Sequence, residues 1–147
     1  MSARTTTTAL ALTLMLGACH APTAGHARGA EPLRTIAVRV HHTDAMLAFY
    51  RAAFGVEFRE EQTGPVRSHF GELGGVTLKF VPIRAAAEFD DYPSHQLGVA
   101  VDDVAAVVAL ATAHGGRPEG ELRVEDGRTH GCVRDPDGNT IELYGPR

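Results

Sequence analysis

The chain repeats itself. Val40 is answered by Val101 and Gly55 by Gly116, each 61 residues further on. Around these anchors the pattern is the same. The run Thr35-Ile36-Ala37-Val38-Arg39-Val40 alternates as a strand does, and so does Gln96-Leu97-Gly98-Val99-Ala100-Val101. A helical pattern follows each run. Asp44–Phe54 places Met46, Leu47, Tyr50, Ala53 and Phe54 on one face, with Thr43 or Asp44 available to cap it and Gly55 to end it. Asp103–His114 does the same with Val104, Val107, Val108 and Ala111, with Asp102 as the expected cap and Gly115-Gly116 as the stop. Arg67-Ser68-His69 is answered by Arg128-Thr129-His130 at the same offset of 61. Val76–Phe80 then matches Asn139–Leu143 at 63, with the two extra residues assigned to the turn Asp135-Pro136-Asp137-Gly138. Several matches at a nearly constant offset argue for duplication.

Each copy reads strand, helix, strand, strand, strand. The first is expected over about 33–41, 44–54, 56–61, 66–73 and 75–82, and the second over about 94–101, 103–114, 117–124, 128–134 and 139–144. The fold class is therefore α+β. Two tandem βαβββ modules, about 33–84 and 94–145, form a cup-shaped mixed and antiparallel sheet with the helices outside. Ala85–Pro93 links them.

The first 18 residues read as a signal peptide and not as fold. Arg4 and the free amine precede the apolar run Ala9–Leu16, which is too short to span a bilayer. The run ends in Leu16-Gly17-Ala18-Cys19, which resembles a bacterial lipobox; that resemblance implies cleavage before Cys19 and lipidation of it. Residues 19–32 then form a flexible Pro/Gly-rich tether holding His20 and His26, both read as solvated. The expected location is outside the cytoplasm, lipid-anchored to a bacterial membrane and facing the periplasm or the cell exterior.

With Cys19 lipidated, Cys132 is the one remaining thiol and has no internal disulfide partner; it reads as a small buried residue. The net charge of -4 is spread along the chain, so no basic stripe marks a nucleic-acid surface. Lys79 is the only lysine.

Strand alternation assigns faces. Ile36, Val38, Val40, Leu78 and Phe80 face the first helix, and Leu97, Val99, Val101, Ile141 and Leu143 the second. The opposite face then holds Thr35, Arg39, Arg59, Thr77 and Lys79 in one copy and Gln96, His130, Cys132, Arg134, Glu142 and Tyr144 in the other. The 61-residue match adds Arg67 and His69 to that polar side. An antiparallel sheet with one wet face gives such a pattern without any function. A concave polar cleft between two modules, however, is a usual ligand site. His41-His42 read as surface. His95 would enter the cleft only if the register of Gln96–Val101 slipped by one.

Paired βαβββ modules ending in Asp135-Pro-Asp-Gly-Asn-Thr-Ile-Glu-Leu143 resemble the vicinal oxygen chelate superfamily of glyoxalase I, fosfomycin-resistance proteins, extradiol dioxygenases and bleomycin-binding proteins. The helix end Phe49-Tyr50 to Gly55 fits as well. The resemblance covers about 33–144. It implies four ligand positions on the first and last strand of each module, which fall here on Thr35, Lys79, Gln96 and Glu142. Glu142 is a strong ligand for a divalent ion and Gln96 a weak one; Thr35 is a poor ligand and Lys79 brings a positive charge. A site of His69, His130 and Glu142 lacks the family's positions. We therefore expect no cofactor, with a divalent metal ion as the alternative. Lys79 is expected to take the ion's place and could face Glu142 across the cleft, where the pair either merely closes an old site or leaves Lys79, with Arg134, His69 and His130, to hold an anionic or oxygen-rich ligand.

The leading functional reading is an exported, metal-independent small-molecule-binding protein of this superfamily. Thr35, His69, Lys79, Gln96, His130, Arg134 and Glu142 are its expected ligand-binding residues. The second is a glyoxalase-like lyase or isomerase, with Glu142 as ligand or general base and His130 or His69 assisting. The third is a non-catalytic interaction module. Relatives form dimers with clefts completed by the partner chain, so a homodimer is a further expectation, which exposed sheet edges would suit.

Overall fold

The computed structural model describes residues 32–83 and 95–147. The expected signal segment, Cys19 and the linker Ala85–Pro93 lie outside the described residues. The elements follow the duplicated order. In the first module they are β1 (Thr35–Val40), α1 (Thr43–Phe54), β2 (Arg59–Thr63), β3 (Val66–Leu73) and β4 (Val76–Pro82). In the second they are β5 (Gln96–Ala100), α2 (Val104–Ala113), β6 (Arg117–Pro118), β7 (Arg123–Glu125), β8 (Arg128–Arg134) and β9 (Thr140–Pro146). The one strand expected over 117–124 is thus two short pieces. Pro118 and Gly120 interrupt the ladder between them, and Gly120 sits at φ +78°.

Each module builds its own mixed sheet, in the orders β1-β4-β3-β2 and β5-β9-β8-β6, with β7 also pairing β8. The first strand of each module runs parallel to the last, and the remaining pairs are antiparallel. β1 and β5 are therefore edge strands of separate sheets. No helix among the described residues is long and apolar enough to cross a membrane.

The core is continuous across both modules. Val38, Val40, Leu78 and Phe80 of the first sheet pack with Met46, Phe49, Tyr50 and Ala53 of α1; Val133, Ile141 and Leu143 pack with Val104 and Ala111 of α2. Burying each large side chain of this set contributes roughly 1.5–3 kcal/mol. The two halves use different sizes. α1 meets its sheet through aromatic rings, with Tyr50 and Phe80 edge to face at 5.1 Å between centroids. α2 is a run of Ala, Val, Leu and Thr with no charge, and it packs over glycines of its sheet. A Cβ at Gly131 or at Gly145 would come within 2.7 Å of a Val104 methyl, so only glycine permits that approach. Gly116 does the same between modules: a Cβ there would lie 2.4 Å from the Phe49 ring.

The caps differ from expectation. α2 is capped by Asp103, whose carboxylate accepts the Ala106 N–H at 2.9 Å, and not by Asp102. Gly55 ends α1 as expected, in the left-handed region at φ +67°. The start of α1, however, uses neither Thr43 nor Asp44. Its N-cap is His42, without a side-chain cap of its own. Asp137 of the second module supplies the acceptor instead. Its carboxylate takes the N–H of His41 at 2.8 Å, the N–H of His42 at 3.1 Å and His42 Nδ1 at 2.8 Å. The His42 ring is exposed, as the sequence suggested, while the Asp137 side chain is 1% exposed.

The turn that carries Asp137 is itself held by Asp135. Asp135 accepts the N–H groups of Asp137 at 3.0 Å and Asn139 at 2.9 Å, and the Asn139 side-chain amide. The Tyr50 hydroxyl of α1 donates to it at 3.3 Å. Burial, followed by the Asp135 charge, raises the Tyr50 pKa well above that of a free phenol. Burial also pushes the Asp135 carboxyl up, against the opposing pull of its bonds from Asn139. Replacing Asp137 by Ala should leave the turn before α1 without its acceptor and destabilise the fold by about 2–3 kcal/mol. Urea unfolding of Asp137→Ala checks this; a loss within the ~0.5 kcal/mol typical of a surface substitution would show that the two modules do not depend on this carboxylate.

Candidate functional site

Direct partners in a ladder share a face of the sheet, and this sorts the expected site residues. In the first sheet Lys79 pairs Ala37 and Phe70, and Phe70 pairs Arg59. Thr35 pairs Thr77. The polar face therefore holds Thr35, Arg39, Arg59, Ser68, Phe70, Glu72, Thr77 and Lys79. His69 pairs Phe80 and belongs to the opposite, helix-facing side together with Arg67. There they line a cavity of about 570 Å³ with Gln62 and Pro82. The placement of His69 and Arg67 on the polar face is thus corrected.

The cause is a slip of one residue. Gly71 pairs Leu78, while Val133 pairs Ile141, so the third strands correspond at an offset of 62 and not 61. Ser68, not His69, is the counterpart of His130. The signal for this was present. Gly74-Gly75 is a two-residue hairpin turn, which forces Leu73 opposite Val76 and hence His69 opposite Phe80. A packing reason agrees: a Cβ at Gly71 would lie 2.4 Å from a Val56 methyl, so this position belongs to the core side.

In the second sheet the expected register holds. Gln96 pairs Thr140, Gly98 pairs Glu142, and β8 places His130 beside Tyr144 and Cys132 beside Glu142. His95 lies before the strand, and burial lowers its pKa. The polar face gathers Gln96, His130, Cys132, Arg134, Glu142 and Tyr144. A cavity of about 210 Å³ opens on it, lined by His130, Cys132, Glu142 and Tyr144 with Glu119 and Arg123. Glu119 belongs to the irregular segment between β6 and β7, where no alternation marks a face, and Arg123 opens the short β7 opposite His130.

The side chains in this cavity are tied to one another. The Tyr144 hydroxyl donates to Glu142, and this bond raises the Tyr144 pKa. The His130 and Tyr144 rings meet edge to face at 5.4 Å. Arg134 donates to Glu119 at 2.6 Å, which lowers the Glu119 pKa, and the Cys132 thiol lies 3.5 Å from the other Glu119 oxygen. Burial first, and then the Glu119 bond and charge, push the Cys132 thiol up to about 11. It is therefore a protonated thiol at neutral pH, a donor and not a nucleophile.

Lys79 and Glu142 are not joined. The Lys79 ammonium lies 5.3 Å from the centroid of the Phe70 ring and forms no salt bridge among the described residues. Glu142 is engaged by Tyr144. A groove that both modules line, about 370 Å³ between β1 and β5, is apolar and includes Ile36, Leu78, Leu97 and Val99. The polar residues lie on two faces, one on each sheet. Among the described residues, no group of three His, Cys, Asp or Glu side chains is placed so that it could hold a metal ion. The donor chemistry of Thr35, Lys79, Gln96 and Glu142 does not fit a divalent cation, because one member is itself a cation and another a neutral hydroxyl.

Residues 33–143 match the family model described as the glyoxalase/bleomycin resistance protein/dioxygenase superfamily. Solved structures share the fold. A glyoxalase-related enzyme from Fulvimarina pelagi is 21% identical with a TM-score of 0.61, covering 79% of this chain and 88% of its own. A glyoxalase family protein from Enterococcus faecalis is 25% identical at 0.58, covering 76% and 95%. A glyoxalase/bleomycin resistance protein/dioxygenase family enzyme from Burkholderia phytofirmans PsJN is 20% identical at 0.61, covering 77% and 97%. A search of curated proteins found no match.

The thiol provides a local test. Removing the Glu119 charge in Glu119→Gln, in a Cys19→Ser background, should lower the Cys132 pKa from about 11 toward the ordinary thiol value. Thiolate absorbance against pH checks this; an unchanged titration would mean that Glu119 does not govern the cavity's electrostatics.

Proposed function

Because the chain belongs to the glyoxalase/bleomycin resistance protein/dioxygenase superfamily, we propose that it is an exported small-molecule-binding protein that works without a resident metal ion. One observation carries this reading. At a position where the family resemblance implies a metal ligand, the chain has its only lysine, and that ammonium rests over an aromatic ring on the sheet's polar face. A fixed cation there disfavours a second cation and favours a ligand bearing negative charge or electron-rich oxygen. In the second sheet the cavity beside Glu142 supplies hydroxyl, imidazole, thiol and guanidinium groups, the kinds of polar group that orient a small molecule.

Export is supported by the sequence before the domain, the apolar Ala9–Leu16 followed by Leu16-Gly17-Ala18-Cys19. Lipidation of Cys19 would hold the domain at a membrane while the tether lets it reach solutes. Retention in the membrane fraction that is lost in Cys19→Ser checks this part of the reading.

The alternative is a glyoxalase-like lyase or isomerase. Its support is the grouping of Glu142, His130 and Tyr144 around one cavity, a carboxylate with two proton-transfer partners. Metal analysis of the purified protein separates the two. The binding reading expects metal well below one equivalent and no change in content between the wild type and Glu142→Gln. Stoichiometric nickel, zinc, manganese or iron that disappears in Glu142→Gln would overturn it in favour of the enzyme.

A further inference from the structure

The polar face of the first sheet has a feature that neither the duplication nor the family resemblance assigns. Phe70 is partly buried on that face, where the flanking strands contribute charge. Lys79 Nζ lies 5.3 Å and Arg59 Cζ 5.5 Å from the centroid of its ring. The three residues stand in one row of the ladder, Arg59 opposite Phe70 and Phe70 opposite Lys79. Arg59 is partly neutralised, since its Nε donates to Glu61 at 2.5 Å. Lys79 has no carboxylate partner among the described residues, and neither has Arg39 on the same face. Two residues before Phe70, also on this face, the Ser68 hydroxyl is buried and has no hydrogen-bond partner among the described residues.

The row thus combines an apolar ring, an ammonium with no carboxylate partner among the described residues, and a guanidinium that shares one carboxylate. We infer that it is a binding site for a small aromatic carboxylate. The carboxylate would pair with Lys79, and the planar body would pack on the Phe70 ring and the Arg59 guanidinium. An inorganic oxyanion would use the charge and leave the ring unused. A neutral aromatic would use the ring and leave the ammonium unpaired. Only a ligand with both parts meets both features. This inference rests on the small-molecule-binding reading and names the class of molecule that reading leaves open.

The test uses the full chain and three probes: benzoate, benzyl alcohol and inorganic phosphate, titrated by calorimetry or by chemical-shift perturbation. Benzoate should bind more tightly than either of the others by about tenfold or more, the loss expected when one of two recognised parts is missing. Lys79→Met should weaken benzoate by a similar factor, and Phe70→Leu should weaken it as well. Lys79→Arg should retain it, which separates lost charge from lost folding, and Asp44→Asn, at an exposed position of α1 away from the polar face, should leave it unchanged. Benzoate bound equally well by Lys79→Met would overturn the site. Benzoate bound by the wild type and lost only in Glu142→Gln would also overturn it while leaving the small-molecule-binding reading intact. No benzoate binding to a metal-free wild type would overturn the ligand class alone, whereas a stoichiometric metal lost in Glu142→Gln would remove the underlying reading.

Discussion

Asp137 sits in a turn of the second module, and both of its oxygens serve the first. One takes the N–H of His41, and the other takes the N–H and ring nitrogen of His42, where α1 begins. A buried carboxylate is costly unless its lone pairs are used, and the positive end of a helix is a favourable place for one. Asp137 therefore fixes three things together: the start of α1, the position of the second module's turn, and the contact between the halves. Asp135 backs it by closing the turn and receiving the Tyr50 hydroxyl. Phe49 then reaches over Gly116, where no side chain could stand. The two halves behave as one core because these contacts cross between them.

This arrangement makes the duplicated halves unequal. The first module has Gly74-Gly75 where the second has its Asp-Pro-Asp-Gly turn, so it offers no carboxylate in return. α2 compensates locally with Asp103. Packing differs in the same direction, with rings under α1 and methyl groups with glycines under α2. A symmetric ancestor would need neither difference. In this chain the motif that most resembles the family is a structural clasp, and only its continuation into β9 carries a candidate site residue, Glu142.

The polar faces show how a small geometric choice governs chemistry. One residue of register decides whether His69 or Phe70 stands beside Lys79. A histidine there would give a hydrogen-bonding pocket; the phenylalanine gives an apolar surface under two cations. In the second sheet the same ladder logic puts imidazole, thiol, carboxylate and phenol together. Cys132 stays protonated because it is partly buried and faces Glu119, and Tyr144 because it donates to Glu142.

The sequence by itself determined the two modules, the order of their elements, the core faces of β1, β4, β5 and β9, and the polar positions Thr35, Lys79, Gln96 and Glu142. Periodicity and repetition are local signals, and these features are local. It also contained the register of β3, through the length of the Gly74-Gly75 turn, although the match of Arg67-Ser68-His69 with Arg128-Thr129-His130 pointed elsewhere. Only the tertiary structure decided that Asp137 completes α1, that Lys79 rests on Phe70 instead of meeting Glu142, and that Glu119 belongs to the second cavity. Those partners are brought together by how strands and modules pack, and no period in a sequence records which side chain a distant carboxylate or ammonium will find.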